Sequence, residues 1–208
     1  MTEPSHETLG KRAAQGRATR EQLIEVATRL FADRGYEDTS IEAVLTAAGV
    51  SRGALYHHFA GKDALFEAVV ESIENGITTA LATEVSAAPD AVAMVHAAAL
   101  AWIDLAADPV IQRVILTDAP SVLGFERWRA LNDKYAVDAT RAMLQRVADD
   151  GRLAPDLVTS FAHMILGALD EMALLVARAA DREAAVADGK AAVREFLRRL
   201  LAPAAPPA

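Results

Sequence analysis

The stretch that decides the fold is Gly49–Phe59, with the sequence GVSRGALYHHF, which has the pattern of the turn and second helix of a helix-turn-helix. Leu55 and Phe59 lie four positions apart, so both can pack inward from one face of a helix. Arg52 and Tyr56 have the same spacing on another face. A guanidinium fork and a phenol suit base edges and phosphates. The stretch therefore predicts a short helix that enters the major groove of DNA.

The residues before this stretch predict the first helices of the same motif. Thr39–Glu42 has the form of a capping box, with a hydroxyl at the helix start and a carboxylate three residues later. Gly49 can end that helix because glycine accepts the left-handed conformation, and Ser51 can cap the next helix. A second capping box, Thr19–Gln22, opens a longer helix that ends at Gly35. We therefore expect one longer helix followed by two short helices that a tight turn connects.

The composition indicates a helical chain with a core of its own. The 208 residues are 52% hydrophobic, enough for one large or two small domains, and no period-2 alternation predicts a sheet. Cysteine is absent, which excludes disulfides and thiol chemistry. Residues 1–20 are polar and no uninterrupted apolar run of about 18 residues occurs. We therefore expect a soluble, cytoplasmic protein with no membrane span.

The charge is distributed unevenly along the chain. The net charge is −8, which by itself disfavours binding to DNA. Residues 10–62, however, carry eight Lys and Arg against six Asp and Glu, whereas residues 63–208 carry 13 against 21. A local basic patch in the N-terminal part must therefore supply any attraction to phosphates.

Residues 19–70 resemble the DNA-binding domain of the TetR family of bacterial transcriptional regulators. The positions that carry the resemblance are Leu30-Phe31, Gly35-Tyr36, Thr39-Ser40, Ala47–Ser51, Leu55–Phe59, Lys62 and Leu65. Residues 118–124 and 126–129, and Gly167–Glu171, also resemble a recurring C-terminal subtype of that family. The resemblance implies an all-helical dimer whose C-terminal domain binds ligand and partner subunit. Most members of the family are repressors that a small molecule releases.

These observations predict an all-α fold of nine helices in two domains. The predicted parts are a flexible basic arm at 1–17 with Lys11, Arg12 and Arg17, a three-helix helix-turn-helix domain at 18–64, a ligand-binding and dimerisation domain at 65–201, and a disordered tail at 202–208. After the three helices of the helix-turn-helix domain, which we call the head, we expect six more helices and a loop at residues 118–124. These helices should begin near residues 62, 90, 109, 125, 156 and 183. The last two helices should form a homodimer interface as a four-helix bundle, with Gly167 permitting close approach. The apolar surface is expected from Leu166, Leu169, Leu174 and Leu197.

The resemblance implies which residues of the head contact double-stranded operator DNA. They are Thr39, Ser40, Ser51, Arg52, Gly53, Tyr56, His57 and Lys62. Arg52 has the one side chain among them that can fork onto guanine O6 and N7. Thr39, Ser40 and Lys62 precede or begin helices, where backbone amides can bind a phosphate.

In the C-terminal domain, four residues are candidates for binding a small-molecule effector: His96, Trp102, Trp128 and His163. Together they could line an apolar cavity with a few polar anchors. Taken one by one, such residues more often pack in a core, with each histidine hydrogen-bonded. No cofactor and no metal site are predicted.

Three functions remain open from the sequence. The first is a ligand-responsive regulator, and the second is a DNA-binding regulator without a ligand. The third is an all-helical enzyme with Asp170 and Glu171 as acid and base, or with His96 and His163 as metal ligands. The third lacks a His-Glu-x-x-His motif, a glycine-rich phosphate loop and a Gly-x-Ser-x-Gly motif. A large C-terminal cavity would favour the first function over the second.

Overall fold

The structure, a computed structural model, describes the backbone of residues 6–202 and the side chains of residues 14–202. Within this range the chain is helical and contains no strand, which confirms the predicted fold class. The α-helices are α1 (His6–Arg34), α2 (Ile41–Ala48), α3 (Arg52–His58), α4 (Lys62–Ser86), α5 (Ala91–Leu105), α6 (Ala119–Asn132), α7 (Asp138–Asp149), α8 (Val158–Arg178) and α9 (Arg182–Leu200). Two π-helical segments, Ile111–Asp118 and Asp133–Val137, flank α6, and a 3-10 turn, Pro155–Leu157, precedes α8.

The helices bury two apolar cores. One core is formed by α1–α4 together with Ile111–Asp118 and α6, and the other by α5, α7, α8 and α9. Phe31 of α1 and Phe66 of α4 are fully buried in the first core, and their ring centroids lie 5.1 Å apart in an edge-to-face contact. Such a pair adds about 1 kcal/mol beyond its buried area. This core therefore contains residues of both predicted domains, the head (residues 18–64) and the C-terminal domain (the body, residues 65–201), and α4 contributes to it.

The beginning of the chain differs from the prediction. Helix α1 extends back to His6, so residues 6–17 are helical, not a flexible arm. Thr19 does not cap a helix, because its hydroxyl donates to the carbonyl of Gln15 at 3.0 Å, inside α1. Residues 1–5, the side chains of Lys11 and Arg12, and residues 203–208 of the predicted tail lie outside the described part of the chain.

The prediction of a loop at residues 118–124 was wrong, because these residues are helical. The π-helical segment runs directly into α6, and only Gly124 departs from helical geometry, with φ 75° and ψ 164°. Pro120 lies at the beginning of α6, where the π-helical segment continues into it. A kink at Gly124 therefore replaces the loop.

The contact between α8 and α9 depends on a glycine that the sequence did not single out. A Cβ atom at Gly189 would lie 3.3 Å from Sδ of Met172 and 3.4 Å from Cγ2 of Val176. Two of the four leucines predicted as dimer surface, Leu169 and Leu197, are instead buried within the chain, at 5% and 0% exposure, and the other two, Leu166 and Leu174, are half-buried and line a cavity. Leu169 and Leu197 point inward because they share the helix faces that contact the second core.

A different set of apolar side chains faces outward from α8 and α9. These are Met164, Leu175 and Phe196, which are 54%, 53% and 38% exposed. Gly167 is also exposed, with open space where a Cβ would stand.

By length and composition alone the stretch Pro155–Arg178 could cross a membrane, and 28% of its most apolar 18-residue window is buried in the fold. An exposed apolar stripe on a long helix equally suits contact with another helix.

Candidate DNA-binding and ligand-binding sites

The predicted helix-turn-helix is present between α2 and α3. Ser40 caps α2 by accepting a hydrogen bond from the amide of Ala43 at 3.1 Å, and Ser51 caps α3 through the amide of Ala54 at 3.2 Å. Gly49 ends α2 with φ 65°, the left-handed conformation that the turn requires. The cap of α2 is therefore Ser40, one residue later than the predicted capping box.

Helix α3 separates its inward and outward faces as its sequence predicts. Leu55 and Phe59 are buried, at 0% and 4% exposure. The outward face brings together five of the predicted DNA contacts: Ser51, Arg52, Gly53, Tyr56 and His57, all exposed. Beside Gly53 the nearest side-chain atom to a Cβ would be Oγ of Ser51 at 4.0 Å, so a bare stretch of backbone lies open on this face.

Arg52 is paired in the free protein. Its guanidinium forms an ion pair with Glu42 of α2, and the side chains are 59% and 63% exposed. An exposed pair of this kind contributes about 0–1 kcal/mol, so a base or phosphate can replace the carboxylate at little cost. The pair holds the guanidinium over the outward face of the motif.

Thr39 cannot play the role predicted for it. Its side chain is completely buried, and its hydroxyl donates to the carbonyls of Leu30 at 3.1 Å and Gly35 at 2.8 Å. Its amide donates to the carbonyl of Tyr36 at 3.3 Å. Thr39 therefore fixes the turn between α1 and α2, and the exposed Ser40 is the member of this pair that DNA can reach.

Lys62, at the start of α4, is anchored to the turn that follows α1. Its ammonium lies 4.0 Å from the centre of the Tyr36 ring and donates to the carbonyl of Glu37 at 3.3 Å. The Tyr36 hydroxyl donates in turn to Asp63. Burial, and then the Asp63 carboxylate, raises the pKa of Tyr36, so its hydroxyl stays protonated. Lys62 is thus a positioned cation at a helix start.

The two neighbouring histidines of α3 have different surroundings. His57 is exposed, whereas His58 is half-buried, and their ring centroids lie 5.0 Å apart. Burial, with smaller contributions from His57 and Arg20, lowers the pKa of His58. His58 is therefore neutral at neutral pH, and His57 is the one that faces outward.

The body contains a cavity of about 460 Å³ enclosed by α4, α5, α6, α7 and α8 with the two π-helical segments. Trp102 and Trp128, two of the four predicted ligand-binding residues, line it, and Tyr135 adds a third aromatic ring. Its remaining wall is largely aliphatic. A mostly apolar cavity of this size can enclose a small organic molecule.

The two histidines predicted beside these tryptophans are not in the wall of the cavity. His96 is half-buried near Arg194 and Asp90, and burial followed by Arg194 lowers its pKa. His163 is exposed on α8. Each shares a helix with cavity residues, but the helical repeat turns it away from them. Among the described residues no group of three or more His, Asp and Glu side chains is arranged to bind a metal.

Two carboxylates in the wall of the cavity are the polar residues that the sequence did not assign to it. Glu74 of α4 was not singled out, and Asp170 of α8 was considered only as a catalytic acid. Burial, and then the charge of Asp170, raises the pKa of Glu74 to about 7. Burial raises the pKa of Asp170 to about 6. The signal that could have identified them is a single acidic residue within an apolar helical stripe.

The raised pKa of Glu74 leads to a prediction about stability. Between pH 4.5 and 7 the unfolded chain loses this proton while the folded chain keeps it, so this contribution to stability falls as pH rises and is fully lost above pH 7. Glu74→Gln, which stays neutral, should therefore raise the free energy of unfolding at pH 8 by about 2 kcal/mol and have little effect at pH 4. Urea denaturation at both pH values measures this. Glu84→Gln, at an exposed position of the same helix, is the control. A less stable Glu74→Gln variant at pH 8 would contradict the assignment.

The cavity wall is joined to the head by a buried carboxylate. Oδ2 of Asp118 accepts hydrogen bonds from the amide of Tyr36 at 2.9 Å and from Nε of Arg113 at 3.2 Å. The Arg113 guanidinium packs against Gly35, where a Cβ would overlap it. The same π-helical segment contributes Ile115 to the cavity. The segment that lines the cavity therefore also contacts the turn between α1 and α2.

Comparison with known proteins gives the same assignment for both parts of the chain. Residues 23–69 match the family model described as bacterial regulatory proteins of the tetR family. Residues 91–200 match the model of a tetracyclin repressor-like C-terminal domain. The second match covers more than half of the chain.

Individual relatives are similar over different lengths. The chain is 40% identical over 67 residues to the transcriptional regulator AcrR of Shigella flexneri, which is 32% of this chain and 31% of that protein. It is 30% identical over 157 residues to the transcriptional repressor AcnR of Corynebacterium efficiens, covering 71% of this chain and 76% of that one. A crystal structure of a TetR-family regulator from Pectobacterium atrosepticum is 32% identical, with a TM-score of 0.76, over 91% of this chain and 97% of that one. The chain therefore belongs to the TetR family of transcriptional regulators.

Proposed function

We propose that this protein is a cytoplasmic, dimeric repressor that a small molecule releases from a palindromic operator. The observation that carries the proposal is the position of α4. Its N-terminal part packs in the head through Phe66, and its middle contributes Val70, Glu74 and Ile77 to the cavity wall. One rigid element thus contacts both the candidate DNA-binding domain and the candidate ligand.

The outward face of α3 supports operator recognition. Arg52 can read guanine, and Tyr56 and His57 can contact phosphates on either side. Ser40 and Lys62 add contacts at the starts of α2 and α4. A single such helix reads few base pairs, so selectivity requires two heads that reach successive major grooves, about 34–36 Å apart or somewhat more.

Release follows from the two connections between cavity and head. A ligand that moves α4 or the segment Ile111–Asp118 would move the head through Phe66 or through the hydrogen bond of Asp118 with Tyr36. In a dimer, a small rotation of each head changes the separation of the two α3 helices. By linkage, such a ligand must bind the operator complex more weakly than it binds the free protein, by the same factor.

The exposed apolar faces of α8 and α9 support a homodimer. Met164, Leu175 and Phe196 lie outward with Gly167, and pairing with a second copy as a four-helix bundle would bury them. Asp170 and Leu174, also on α8, line the cavity, so the proposed interface borders the proposed ligand site. This interface also accounts for the apolar character of α8 without a membrane.

The alternatives have less support. The alternative of a DNA-binding regulator without a ligand does not explain the cavity of about 460 Å³ in the C-terminal domain. The residues that the enzyme alternative requires are dispersed. Asp170 lines the cavity, whereas Glu171 and His163 are exposed. The relatives named above are regulators, and we propose no catalytic role.

The experiment that tests release combines two readouts on the full-length dimer. A panel of small molecules is screened for those that raise the melting temperature, and operator affinity is then measured with and without each. We expect at least one stabilising compound to lower operator affinity by about 5-fold or more. Stabilising compounds that bind the cavity and leave operator affinity unchanged would contradict the proposal.

Substitutions in the head should separate base reading from phosphate binding. Arg52→Ala should lower the preference for the correct base at one position by about 1–3 kcal/mol. Lys62→Met, which keeps an apolar stem over Tyr36, should weaken all duplexes alike and lower the slope of log affinity against log salt by about one contact. Fluorescence anisotropy on operator and scrambled duplexes over a range of salt measures both. If Arg52→Ala weakens both duplexes equally, its assigned role is wrong.

A further inference from the structure

The chemistry of the cavity wall is unusual for a site that binds neutral hydrocarbons. Its titratable side chains are two acids, Glu74 and Asp170, and one tyrosine, Tyr135. Among the side chains that the structure describes, residues 14–202, no Lys, Arg or His lines it. Within the described residues neither carboxylate takes part in an ion pair or accepts a side-chain hydrogen bond. Since the pKa is about 7 for Glu74 and about 6 for Asp170, both carboxylates are ionised at pH 8, and the wall then has negative charge with no internal counter-ion.

The nearby cations are occupied elsewhere. Lys134 pairs with Glu71 at 3.1 Å, and Arg127 pairs with Glu67. Both pairs hold α6 and the following segment against α4, and the Lys134 ammonium also lies 4.6 Å from the centre of the Tyr135 ring. Neither cation is therefore available to neutralise Glu74 or Asp170 without breaking an existing contact.

Aromatic rings complete the pattern. Trp102 and Trp128 line the same cavity as the two carboxylates, whereas the third lining ring, that of Tyr135, already has the Lys134 ammonium 4.6 Å from its centre. Ring faces attract cations, most strongly when water is excluded. Carboxylates and indole rings around an apolar space together form the environment that a bulky organic cation prefers, and they disfavour an organic anion.

We infer that the effector is an apolar molecule with a positively charged nitrogen, a lipophilic amine or quaternary ammonium, held by Glu74 and Asp170. The inference rests on the proposed ligand-released function and specifies the ligand class of that site. An organic cation would supply the counter-charge that the wall lacks, while its apolar part fills the space between Trp102 and Trp128. A fatty acid or another carboxylate would instead place a third negative charge beside two acids.

The test uses three probes with the same chain and different head groups: decyltrimethylammonium, 1-decanol and decanoate. The two tryptophans of the chain both line the cavity, so intrinsic fluorescence reports binding directly. With the full-length dimer at pH 8, where both carboxylates are ionised, we expect the cation to bind at least about 10-fold more tightly than decanoate, with decanol between them. Decanoate binding as tightly as the cation would overturn the inference.

Neutral isosteres locate the effect. Glu74→Gln with Asp170→Asn should lower affinity for the cation by about 10-fold or more and leave that for decanol within about 2-fold. Glu84→Gln, exposed on the same helix, should bind all three probes as the native protein does. Unchanged cation affinity in the double variant would contradict the role of the pair. If that variant fails to fold, the comparison of decyltrimethylammonium, 1-decanol and decanoate on the native protein still tests the ligand class.

A gel shift with operator DNA separates this inference from the proposed function. Cation binding without loss of operator affinity would leave the ligand class standing and contradict ligand release. Release of the operator by decanoate but not by the cation would contradict the ligand class and leave release standing.

Discussion

Leu175→Glu is expected to convert the protein to a monomer and to weaken operator binding by about 100-fold or more. Leu175 is 53% exposed at the outward face of α8, where the proposed four-helix bundle would bury it against a second copy. Two glutamates brought together across a two-fold axis would have to be desolvated beside each other. With the dimer lost, each head binds a half-site alone and the effective concentration of the second head disappears.

Analytical ultracentrifugation and fluorescence anisotropy measure the two effects of Leu175→Glu. Phe125→Glu is the matched control, because Phe125 is a large apolar side chain that is 73% exposed on another helix. We expect that control to remain dimeric and to bind operator normally. A Leu175→Glu protein that stays dimeric would place the subunit interface elsewhere.

Asp118→Ala is expected to lower the free energy of unfolding by about 1–3 kcal/mol and to loosen the head. The substitution leaves the amide of Tyr36 without its acceptor and the guanidinium of Arg113 without its partner. Removing one member of a largely buried charged network costs more than an ordinary exposed pair contributes. The lower end of the range applies because the Arg113 side chain is 46% exposed.

Urea denaturation measures the stability loss in Asp118→Ala, and hydrogen exchange at Tyr36 measures the loosening. The Tyr36 amide should exchange faster than in the native protein. Asp138→Ala is the control, since Asp138 pairs with Arg141 on the surface of α7, and it should change both values little. Unchanged exchange at Tyr36 would mean that Asp118 does not connect the body to the head.

The head could be predicted closely because its determinants are local. Ser51, Gly49 and the spacing of Leu55 and Phe59 specify a cap, a turn and a buried face within eleven residues. Thr39 was assigned wrongly for an equally local reason. Two hydroxyl residues precede α2, and only their packing shows that Ser40 is the cap and that Thr39 is buried.

The ligand site was less predictable because it depends on contacts between distant helices. The size of Trp102 and Trp128 correctly predicts their place in the cavity wall, whereas the chemistry of His96 and His163 does not show which way each side chain faces. Glu74 was missed because an acid on a long helix usually faces solvent. Its position in the cavity wall follows from how α4 packs against α5 and α6, which no local pattern of residues specifies.

The most direct test of the account is selection of bound sequences from random DNA duplexes by the full-length protein, followed by affinity measurement on the selected site. The account predicts an inverted repeat whose half-sites lie about one helical turn or somewhat more apart, bound by a dimer. It also predicts that Arg52→Ala loses selectivity at one symmetry-related base pair in each half-site. Enrichment of single, unrepeated half-sites bound by a monomer, or no enrichment at all, would contradict it.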